Sequence, residues 1–264
     1  MSSSDEPPER RLARLGTVFA RFDRQDSGNV SYGAVVDGER CFVKTAGHPD
    51  ATAFLDHARR VDLLRNAVRL ARAHRHPALP ALRMVVESAH GPMLVYDWAD
   101  GDLIGVPRAH RDDPASPYRR FLALPPGRVL AALDTIVDVH DLLGQAGEVA
   151  GDFYDGCLLY DFITHRLSLI DLDNYRPGPY RNDMGRMFGS SRFMAPEEFT
   201  LGSVIDQRTS VFTLGRTAQL LLGDHLHGPL QQVTTRATHP NPEERHGSLP
   251  EFCAAWRAAR QAGC

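Results

Sequence analysis

The sequence predicts an α+β protein whose first part is rich in strands and whose second part is rich in helices. Strand-like runs over 29–36 and 40–44 flank the turn Asp37-Gly38, which is typical of a β-hairpin. From Pro126 to Leu143, apolar residues recur at helical spacing. Three further helices are predicted over 207–222, 228–237 and 249–262. Because strands and helices are segregated along the chain, the pattern favours α+β over an alternating fold with a parallel sheet.

The order of these segments predicts two lobes and a short tail. Residues 1–12, rich in Ser, Pro and charge, are expected to be a disordered tail. Residues 13–98 are expected to form a strand-rich N-terminal lobe, and residues 99–264 a helical C-terminal lobe. The remaining expected elements are a helix over 50–74, strands over 82–87, 92–98, 157–160 and 166–172, an irregular crossover over 105–117 and a long loop over 173–192.

The composition excludes several classes of protein. With 264 residues, 42% hydrophobic residues and 24% charged residues, the chain is globular rather than disordered. No apolar run approaches the roughly 18 residues of a membrane span, and the N-terminus lacks the apolar core of a signal peptide. A cytoplasmic protein without a membrane partner is therefore expected. A net charge of −3, with both signs interspersed, gives no reason to expect a nucleic-acid partner.

The four cysteines do not indicate a metal or disulfide framework. Cys41, Cys157, Cys253 and Cys264 are far apart in sequence, and no CxxC pair occurs. We therefore expect thiols in a reducing compartment.

Lysine usage singles out one position. Of the 30 basic residues that are Lys or Arg, Lys44 is the only lysine. A strong arginine bias needs no structural reason, but a lone lysine can mark a place where arginine does not serve. Lysine is a compact point charge on a flexible stem, whereas arginine is a larger planar fork. Lys44 ends the second predicted strand.

Two aspartates complete a set of groups suited to phosphoryl transfer. Asp152 lies in a loop before a short strand, and Asp171 ends the next strand, nineteen residues later. A turn at Ile163–His165 would bring the two aspartates to one edge. Phosphoryl transfer from ATP requires a cation for the phosphates, a carboxylate for Mg²⁺ and a carboxylate that orients the attacking hydroxyl. Lys44, Asp171 and Asp152 could supply these three groups.

The residues that follow resemble the eukaryotic-like Ser/Thr protein kinase family in its small bacterial form. The run GSSRFMAPEE, over 189–198, is similar to the family's G-T-x-x-Y-M-A-P-E segment. The run DQRTSVFTLG, over 206–215, is similar to D-x-R-S-D-V-Y-S-L-G, and PNPEERHGS, over 240–248, is similar to P-x-P-x-x-R-x-S. The resemblance covers about residues 15–260 and implies a two-lobed protein-kinase-like fold.

The resemblance implies a role for each matched catalytic or metal-binding position. Lys44 matches the strand lysine that contacts the α- and β-phosphates of ATP. Asp152 matches the aspartate that orients the substrate hydroxyl, and Asp171 matches the metal-holding aspartate of D-F-G, written here D-L-D. Asp155 is a candidate second Mg²⁺ ligand, because Cys157 replaces the family's Asn and a thiol is a poor ligand for that hard cation. In the alternative interpretation, Asp155 is a turn residue.

Further positions are implied for ATP and for the substrate platform. The residues expected to bind ATP are Lys44, Gly28, Gly33, Asp97, Ala99 and Leu159, with Asp97 through Ala99 in the hinge. Ser190 matches the Thr that steadies the catalytic aspartate, and Glu197 and Arg245 match a structural ion pair. The glycine loop is degenerate, with Gly28 and Gly33 only, and is closer to the loops of aminoglycoside phosphotransferases.

Several positions depart from the family pattern. Tyr154 replaces the Lys of the catalytic loop, and Ser210 replaces the Asp that hydrogen-bonds this loop. The helix after Lys44 contains no glutamate. Asn66 lies nearest to the expected position, and Asp62 could substitute from one turn away.

Taken together, the sequence favours an ATP- and Mg²⁺-dependent phosphotransferase that acts on Ser/Thr hydroxyls of a protein substrate. Two alternatives stay open. The missing glutamate and Asn favour a pseudokinase, which binds nucleotide as a scaffold. The glycine loop and the short length fit a small-molecule kinase acting on a hydroxyl-bearing compound such as an antibiotic.

Overall fold

The protein is α+β in the computed structural model, which describes residues 8–23 and 28–262. The described chain divides into two compact units, one up to Ala99 and the other from Asp100 onward. The predicted boundary lies one residue earlier, after Trp98. None of the described helices combines the length and the apolar character that crossing a bilayer requires.

The first unit is an antiparallel sheet with two helices. Its five strands lie in the spatial order β1-β2-β3-β5-β4. In chain order its elements are α1 (Pro8–Leu15), β1 (Gly16–Phe22), β2 (Val30–Val36), β3 (Glu39–Thr45), α2 (His57–Ala73), β4 (Leu82–Val86) and β5 (Met93–Asp97).

The expectation of a disordered tail over 1–12 is corrected for residues 8–12, which are helical. Residues 8–15 form α1, whereas residues 1–7 lie outside the described residues. Leu12 is fully buried and Leu15 packs against the same cluster, because residues three apart share one helix face. The many charged residues of this segment made the short apolar stripe of Leu12 and Leu15 difficult to recognise from the sequence.

The strand β1 is also missing from the sequence prediction. It is an edge strand whose side chains are mostly exposed. Its pairing with β2 shifts register between Val18 and Ala20, so that a bulge interrupts the alternation of apolar and polar residues. Period-two analysis depends on that alternation.

Each face of the sheet is covered by a helix. Against one face, Leu12 of α1 packs on side chains of three central strands; the buried sheet residues are Tyr32, Ala34, Val36, Cys41, Val43, Met93 and Val95. On the other face, Leu64 and Ala67 of α2 pack against Leu94. α2 begins at His57 instead of near Asp50, because the Asp56 side chain accepts the Arg59 N–H at 2.8 Å and caps the helix there.

The second unit consists mainly of helices, with short strands around them. In chain order its elements are β6 (Asp102–Leu103), α3 (Pro117–Leu122), α4 (Pro126–Gln145), β7 (Glu148–Val149), β8 (Leu158–Asp161), β9 (Arg166–Leu169), β10 (Arg176–Pro177), β11 (Tyr180–Arg181), β12 (Val204–Ile205), α5 (Gln207–Leu222), α6 (Gly228–Ala237) and α7 (Leu249–Ala262). The three helices predicted after residue 206 are confirmed as α5, α6 and α7. The sequence prediction missed α3, which buries Tyr118 and Phe121.

The helices of the second unit form its core around α4 and α5. α4 begins behind Pro125 and buries one face, including Ile136 and His140, from its first turn to its last. α5 begins at an N-cap, Asp206, whose carboxylate accepts the Arg208 N–H at 2.8 Å; such a cap stabilises a helix by about 1 kcal/mol. The strands pair as β6-β8-β9, β7-β10 and β11-β12, all antiparallel.

The cysteines within the described ranges are buried. No disulfide joins Cys41, Cys157 or Cys253, and Cys264 lies outside the described residues.

Candidate active site

Asp152 and Asp171 have a backbone conformation that is rare for residues other than glycine. Their φ angles are +59° and +61°. Asp37 and His165 are the other described non-glycine residues with positive φ, and both lie in hairpin turns. Asp152 and Asp171 lie outside such turns. Backbone strain of this kind persists only where the surrounding structure enforces it, and it is concentrated at functional sites.

The β8–β9 hairpin brings the two aspartates of the second unit towards each other. β8 follows the segment that contains Asp152, and β9 returns antiparallel to β8, with Leu158 opposite Leu169. The Ile170 N–H then donates to the Cys157 carbonyl at 2.9 Å, which extends the pairing to the residue before Asp171. The predicted turn at 163–165 therefore places both aspartates at one end of this hairpin.

The phenol of Tyr154 lies among these carboxylates. Its ring packs on Gly156, where an added Cβ would lie 2.3 Å from the ring. Burial raises the pKa of Tyr154 well above its usual range, and the nearby groups Cys157, Asp152, Asp171 and Asp155 raise it further. The phenol therefore stays protonated and offers an O–H donor where the resembling family has a cationic lysine.

Asp152 is also held by its own loop and by the segment around Gly189. The Cys157 thiol donates to the Asp152 carbonyl at 3.3 Å. A Cβ on Gly189 would lie 3.6 Å from Asp152 Oδ1, so the backbone of Gly189 is close to this carboxylate. Ser190 forms a turn in which its carbonyl accepts the Phe193 N–H at 2.8 Å. Within the described ranges no hydrogen bond links the Ser190 hydroxyl to Asp152, so the expected steadying contact is not formed.

Buried polar side chains of two helices bond to the segment before Asp152 and to the segment after Asp171. The Ala150 N–H donates to Ser210 Oγ of α5 at 2.8 Å, so Ser210 contacts the segment before Asp152 although it replaces the family's Asp. On α4, His140 Nδ1–H donates to the Ile136 carbonyl at 2.7 Å, and the Tyr175 hydroxyl donates to His140 Nε2 at 2.8 Å. Burial lowers the pKa of His140 to about 4, so the ring is neutral at physiological pH.

Glu197 and Arg245 form the ion pair that the resemblance implies. Arg245 Nη1 and Nη2 lie 2.7 and 3.0 Å from the two carboxylate oxygens of Glu197. The guanidinium is completely buried and uses its remaining donors on the carbonyls of Arg208, His239 and Pro240. A buried arginine with every donor satisfied fixes the segment after Ala195 to the core of the unit.

Asp155 is engaged by an arginine. Arg192 Nη1 lies 2.7 Å from Asp155 Oδ2, and the side chain of Asp155 is only 7% exposed. Arg192 Nη2 also donates to the Tyr118 hydroxyl at 2.7 Å. Burial raises the pKa of Asp155, although Arg192 opposes this shift. An ion-paired carboxylate is a poorer Mg²⁺ ligand than an open one, so this contact favours a structural role for Asp155.

The residues expected to bind the metal include a carboxylate, but they do not form a complete set of metal ligands. Asp171 is exposed, and its carboxylate is a hard oxygen donor of the kind that Mg²⁺ prefers. Among the described residues, no cluster of three or more His, Cys, Asp or Glu side chains is placed to hold a metal ion. Mg²⁺ usually keeps only one or two protein carboxylates and takes further oxygens from substrate phosphates. The residues present fit that mode of binding.

In the first unit, Lys44 lies near the end of β3 in the middle of the sheet. Its neighbours across the sheet are Ser31 of β2 and Leu94 of β5, and it is 5% exposed. Phe42 lies on the same face, because alternate residues of a strand point to the same side. Lysine near the end of a central strand agrees with the expected position of the phosphate-binding cation.

Gly33 does not belong to the loop between β1 and β2, which corrects its assignment to the phosphate loop. It lies within β2, opposite Phe42. A Cβ at this position would lie 2.5 Å from the Phe19 ring and 3.0 Å from the Trp98 ring. The glycine is required because two aromatic side chains pack on it. Gly28, in contrast, lies in the loop, with a φ of +85°.

The hinge positions keep few of their backbone donors available. The Asp97 N–H donates to the Ala81 carbonyl at 2.9 Å, and the Trp98 N–H donates to the Arg40 carbonyl at 3.3 Å. The Asp97 side chain binds Arg83. The backbone N–H groups of Asp97 and Trp98 are thus bonded within the first unit. In the second unit, Leu159 is a half-buried residue of β8, paired with Leu103.

Neither candidate for the missing helix glutamate is placed to replace it. Asp62 is exposed and forms no ion pair within the described ranges. The Asn66 Oδ1 accepts the Arg69 Nε–H at 2.9 Å. The expectation that Asp62 substitutes from one turn away is therefore wrong.

No protein-family model matches the chain, and no curated protein shows significant similarity to it.

Proposed function

We propose that this protein is an ATP-dependent phosphotransferase of protein-kinase-like fold that acts on Ser/Thr hydroxyls of a protein substrate. The observation that carries the proposal is the pair Asp152 and Asp171. Both adopt the left-handed backbone conformation outside a hairpin turn. The negative charge of each also raises the pKa of the Tyr154 phenol. Two strained aspartates held near each other suit a reaction that needs one carboxylate for a hydroxyl and another for a metal.

Each residue has a distinct role in the proposed reaction. Asp152 accepts a hydrogen bond from the attacking hydroxyl and orients its oxygen towards the γ-phosphorus. Lys44 binds the phosphates as a point charge. Asp171 would hold Mg²⁺, which neutralises the charge of the triphosphate when bound. Tyr154 would donate a hydrogen bond in the place where the resembling family has a lysine, without adding charge.

The segment over 188–198 supports a protein substrate rather than a small molecule. Phe193 is fully buried, and Glu197 is fixed to Arg245. A segment fixed in this way next to Asp152 provides a rigid surface for an extended peptide. In the resembling protein kinases this surface binds the substrate chain.

A second candidate function is nucleotide binding without turnover. The observation that favours it is that neither Asp155 nor Cys157 offers an open oxygen as a second ligand for Mg²⁺. Asp155 is paired with Arg192, and Cys157 presents a thiol that donates to the Asp152 carbonyl. Without a second metal position, charge in the transition state would be less well neutralised.

One experiment separates the candidate functions. The purified chain is incubated with γ-labelled ATP, Mg²⁺ and either a generic protein or a cell lysate. Label on Ser or Thr of protein supports the proposal. Label in small molecules only would establish a small-molecule kinase. Stabilisation of the chain by ATP against heat, without transfer of label, would establish a nucleotide-binding scaffold.

A further inference from the structure

Arg60 of α2 has its side chain buried in the first unit and bonded to three backbone carbonyls. Nη1 donates to the Gly28 carbonyl at 2.9 Å and to the Ala46 carbonyl at 2.7 Å, and Nη2 donates to the His48 carbonyl at 3.2 Å. The residue is 0% exposed. Gly28 lies in the loop between β1 and β2, whereas Ala46 and His48 follow β3. One side chain thus joins α2 to two separate loops.

This arginine is costly to bury. A guanidinium does not lose its proton in a protein, so the charge is retained. No carboxylate pairs with Arg60 in the part of the chain that is described, and its Nε–H is buried without a partner. It also lies in the first turn of α2, where the helix dipole disfavours a cation. An apolar residue of similar volume would avoid these costs, but it would leave the carbonyls of Gly28, Ala46 and His48 without this donor.

The two loops are shaped to fit around the guanidinium. Gly28 and Gly47 have φ angles of +85° and +70°, which favour glycine. A Cβ on Gly47 would lie 2.8 Å from the Gly28 carbonyl oxygen and 3.2 Å from Arg60 Nη1. A Cβ on Gly28 would lie 2.2 Å from the Ala53 side chain. A side chain at Gly47 would therefore crowd the Arg60 guanidinium, whereas a side chain at Gly28 would collide with Ala53.

We propose that Arg60 is a positioning residue for nucleotide binding, which rests on the proposed function. It fixes the loop that carries Gly28 and the segment that follows β3. This segment begins at Ala46, two residues after Lys44. Because it bonds only to main-chain carbonyls, the position of α2 is transmitted to the backbone of these loops. The resembling family instead uses a carboxylate on this helix to orient the lysine.

We call the Arg60 side chain and its bonds to the Gly28, Ala46 and His48 carbonyls the clamp. The expected effect of losing this clamp is local. Arg60→Met fills a similar volume without donors, so the loops over 28–29 and 46–49 should open more often while α4 and α5 stay protected. Arg60→Lys keeps the charge but has a compact head that reaches fewer carbonyls, and it should give an intermediate result. Arg65→Met is the matched control, because Arg65 is an exposed arginine of the same helix.

Hydrogen exchange of the full chain without nucleotide tests the clamp itself. We expect amide exchange in the two loops to rise about tenfold or more in Arg60→Met, less in Arg60→Lys and not at all in Arg65→Met. Unchanged exchange in both loops would overturn the proposal. If Arg60→Met does not fold, the Arg60→Lys variant decides by the same criterion.

Nucleotide binding tests the role of the clamp. In Arg60→Met the KM for Mg·ATP should rise about tenfold or more, with a smaller change in kcat, and Arg60→Lys should recover part of the affinity. An equal fall in kcat with no change in KM would overturn the positioning role. If the wild-type chain binds no ATP but the loops still open in Arg60→Met, the proposed function fails while the clamp stands.

Discussion

Arg192 binds the carboxylate of Asp155 at 2.7 Å and thereby joins the segment before Ala195 to the loop that follows Asp152. The two residues are 37 positions apart in the sequence. The contact occupies a carboxylate oxygen that would otherwise be available to a metal ion. It also fixes the turn that leads from Asp152 into β8.

Because of this ion pair, we expect substitution of Asp155 to lower the stability of the protein rather than its affinity for Mg²⁺. Asp155→Asn should destabilise the protein by about 2 kcal/mol, because Arg192 keeps a partly buried charge with a weaker acceptor. The Mg²⁺ concentration that gives half-maximal phosphate transfer should not change. Denaturant unfolding and a Mg²⁺ titration check the two parts.

The double variant Asp155→Asn with Arg192→Gln should recover part of the lost stability, since it removes both charges. The exposed pair Arg119 and Asp112 is the matched control, and Asp112→Asn should have almost no effect. A raised Mg²⁺ requirement in Asp155→Asn would instead identify Asp155 as a metal ligand.

Lys44 should not tolerate arginine. Lys44→Arg should lower the transfer rate almost as far as Lys44→Met, because a planar fork does not replace a point charge at a position that is 5% exposed. Transfer rates at saturating ATP and thermal unfolding of both variants provide the measurement. Retention of more than about half of the wild-type rate in the folded Arg variant would contradict a phosphate-binding role.

Ser210 should stabilise the segment before Asp152 through one hydrogen bond. Ser210→Ala leaves the buried N–H of Ala150 without its acceptor, at a cost of about 1–3 kcal/mol. Thr213→Val is the control, because the Thr213 hydroxyl bonds only to the Thr209 carbonyl within α5. Equal stability of the two variants would show that the contact to Ala150 is unimportant.

The buried carboxyl group of Glu198 should make the stability of the protein depend on pH. Burial raises the pKa of its carboxyl to about 8, from an ordinary value of 4.5. The folded protein therefore holds this proton more tightly than the unfolded chain. The associated stability is fully present below pH 4.5 and is lost as the pH rises towards 8.

Replacing the acid by its amide tests this dependence. Glu198→Gln keeps an oxygen acceptor for the Ala195 N–H and should be more stable than the wild type at pH 8, by on the order of a few kcal/mol at most. The two proteins should unfold at similar denaturant concentrations near pH 4.5. Glu244→Gln, at an exposed site, is the control. The same pH dependence in the wild type and Glu198→Gln would refute the shift.

The sequence predicted the parts of the fold that depend on local pattern. The bounds of α5, α6 and α7 follow from helical spacing and from end signals such as Asp206 and Gly223. The strand β1 escaped prediction because it is an exposed edge interrupted by a bulge. α1 escaped because its short apolar stripe is embedded among charges.

The site was predictable where a motif names a residue, but not where distant residues meet. The pairing of Glu197 with Arg245 could be expected from the resemblance. The pairing of Arg192 with Asp155 depends on tertiary structure that no short motif records. The sequence did not identify Arg60 as a functional residue. Arginine is rarely fully buried, so its residue type predicts an exposed side chain. One signal was present, namely Gly47, where an added Cβ would lie 3.2 Å from the Arg60 guanidinium.

If Asp152 orients the hydroxyl that attacks ATP, the variant Asp152→Asn should lose the transfer of label from γ-labelled ATP. We expect the folded variant still to bind Mg·ATP while its transfer rate falls about 10²-fold or more. Asp183→Asn, an exposed aspartate in the loop over 173–192, should transfer label at the wild-type rate. Transfer by Asp152→Asn within about threefold of the wild-type rate, or no transfer by the wild-type chain itself, would contradict this role of Asp152.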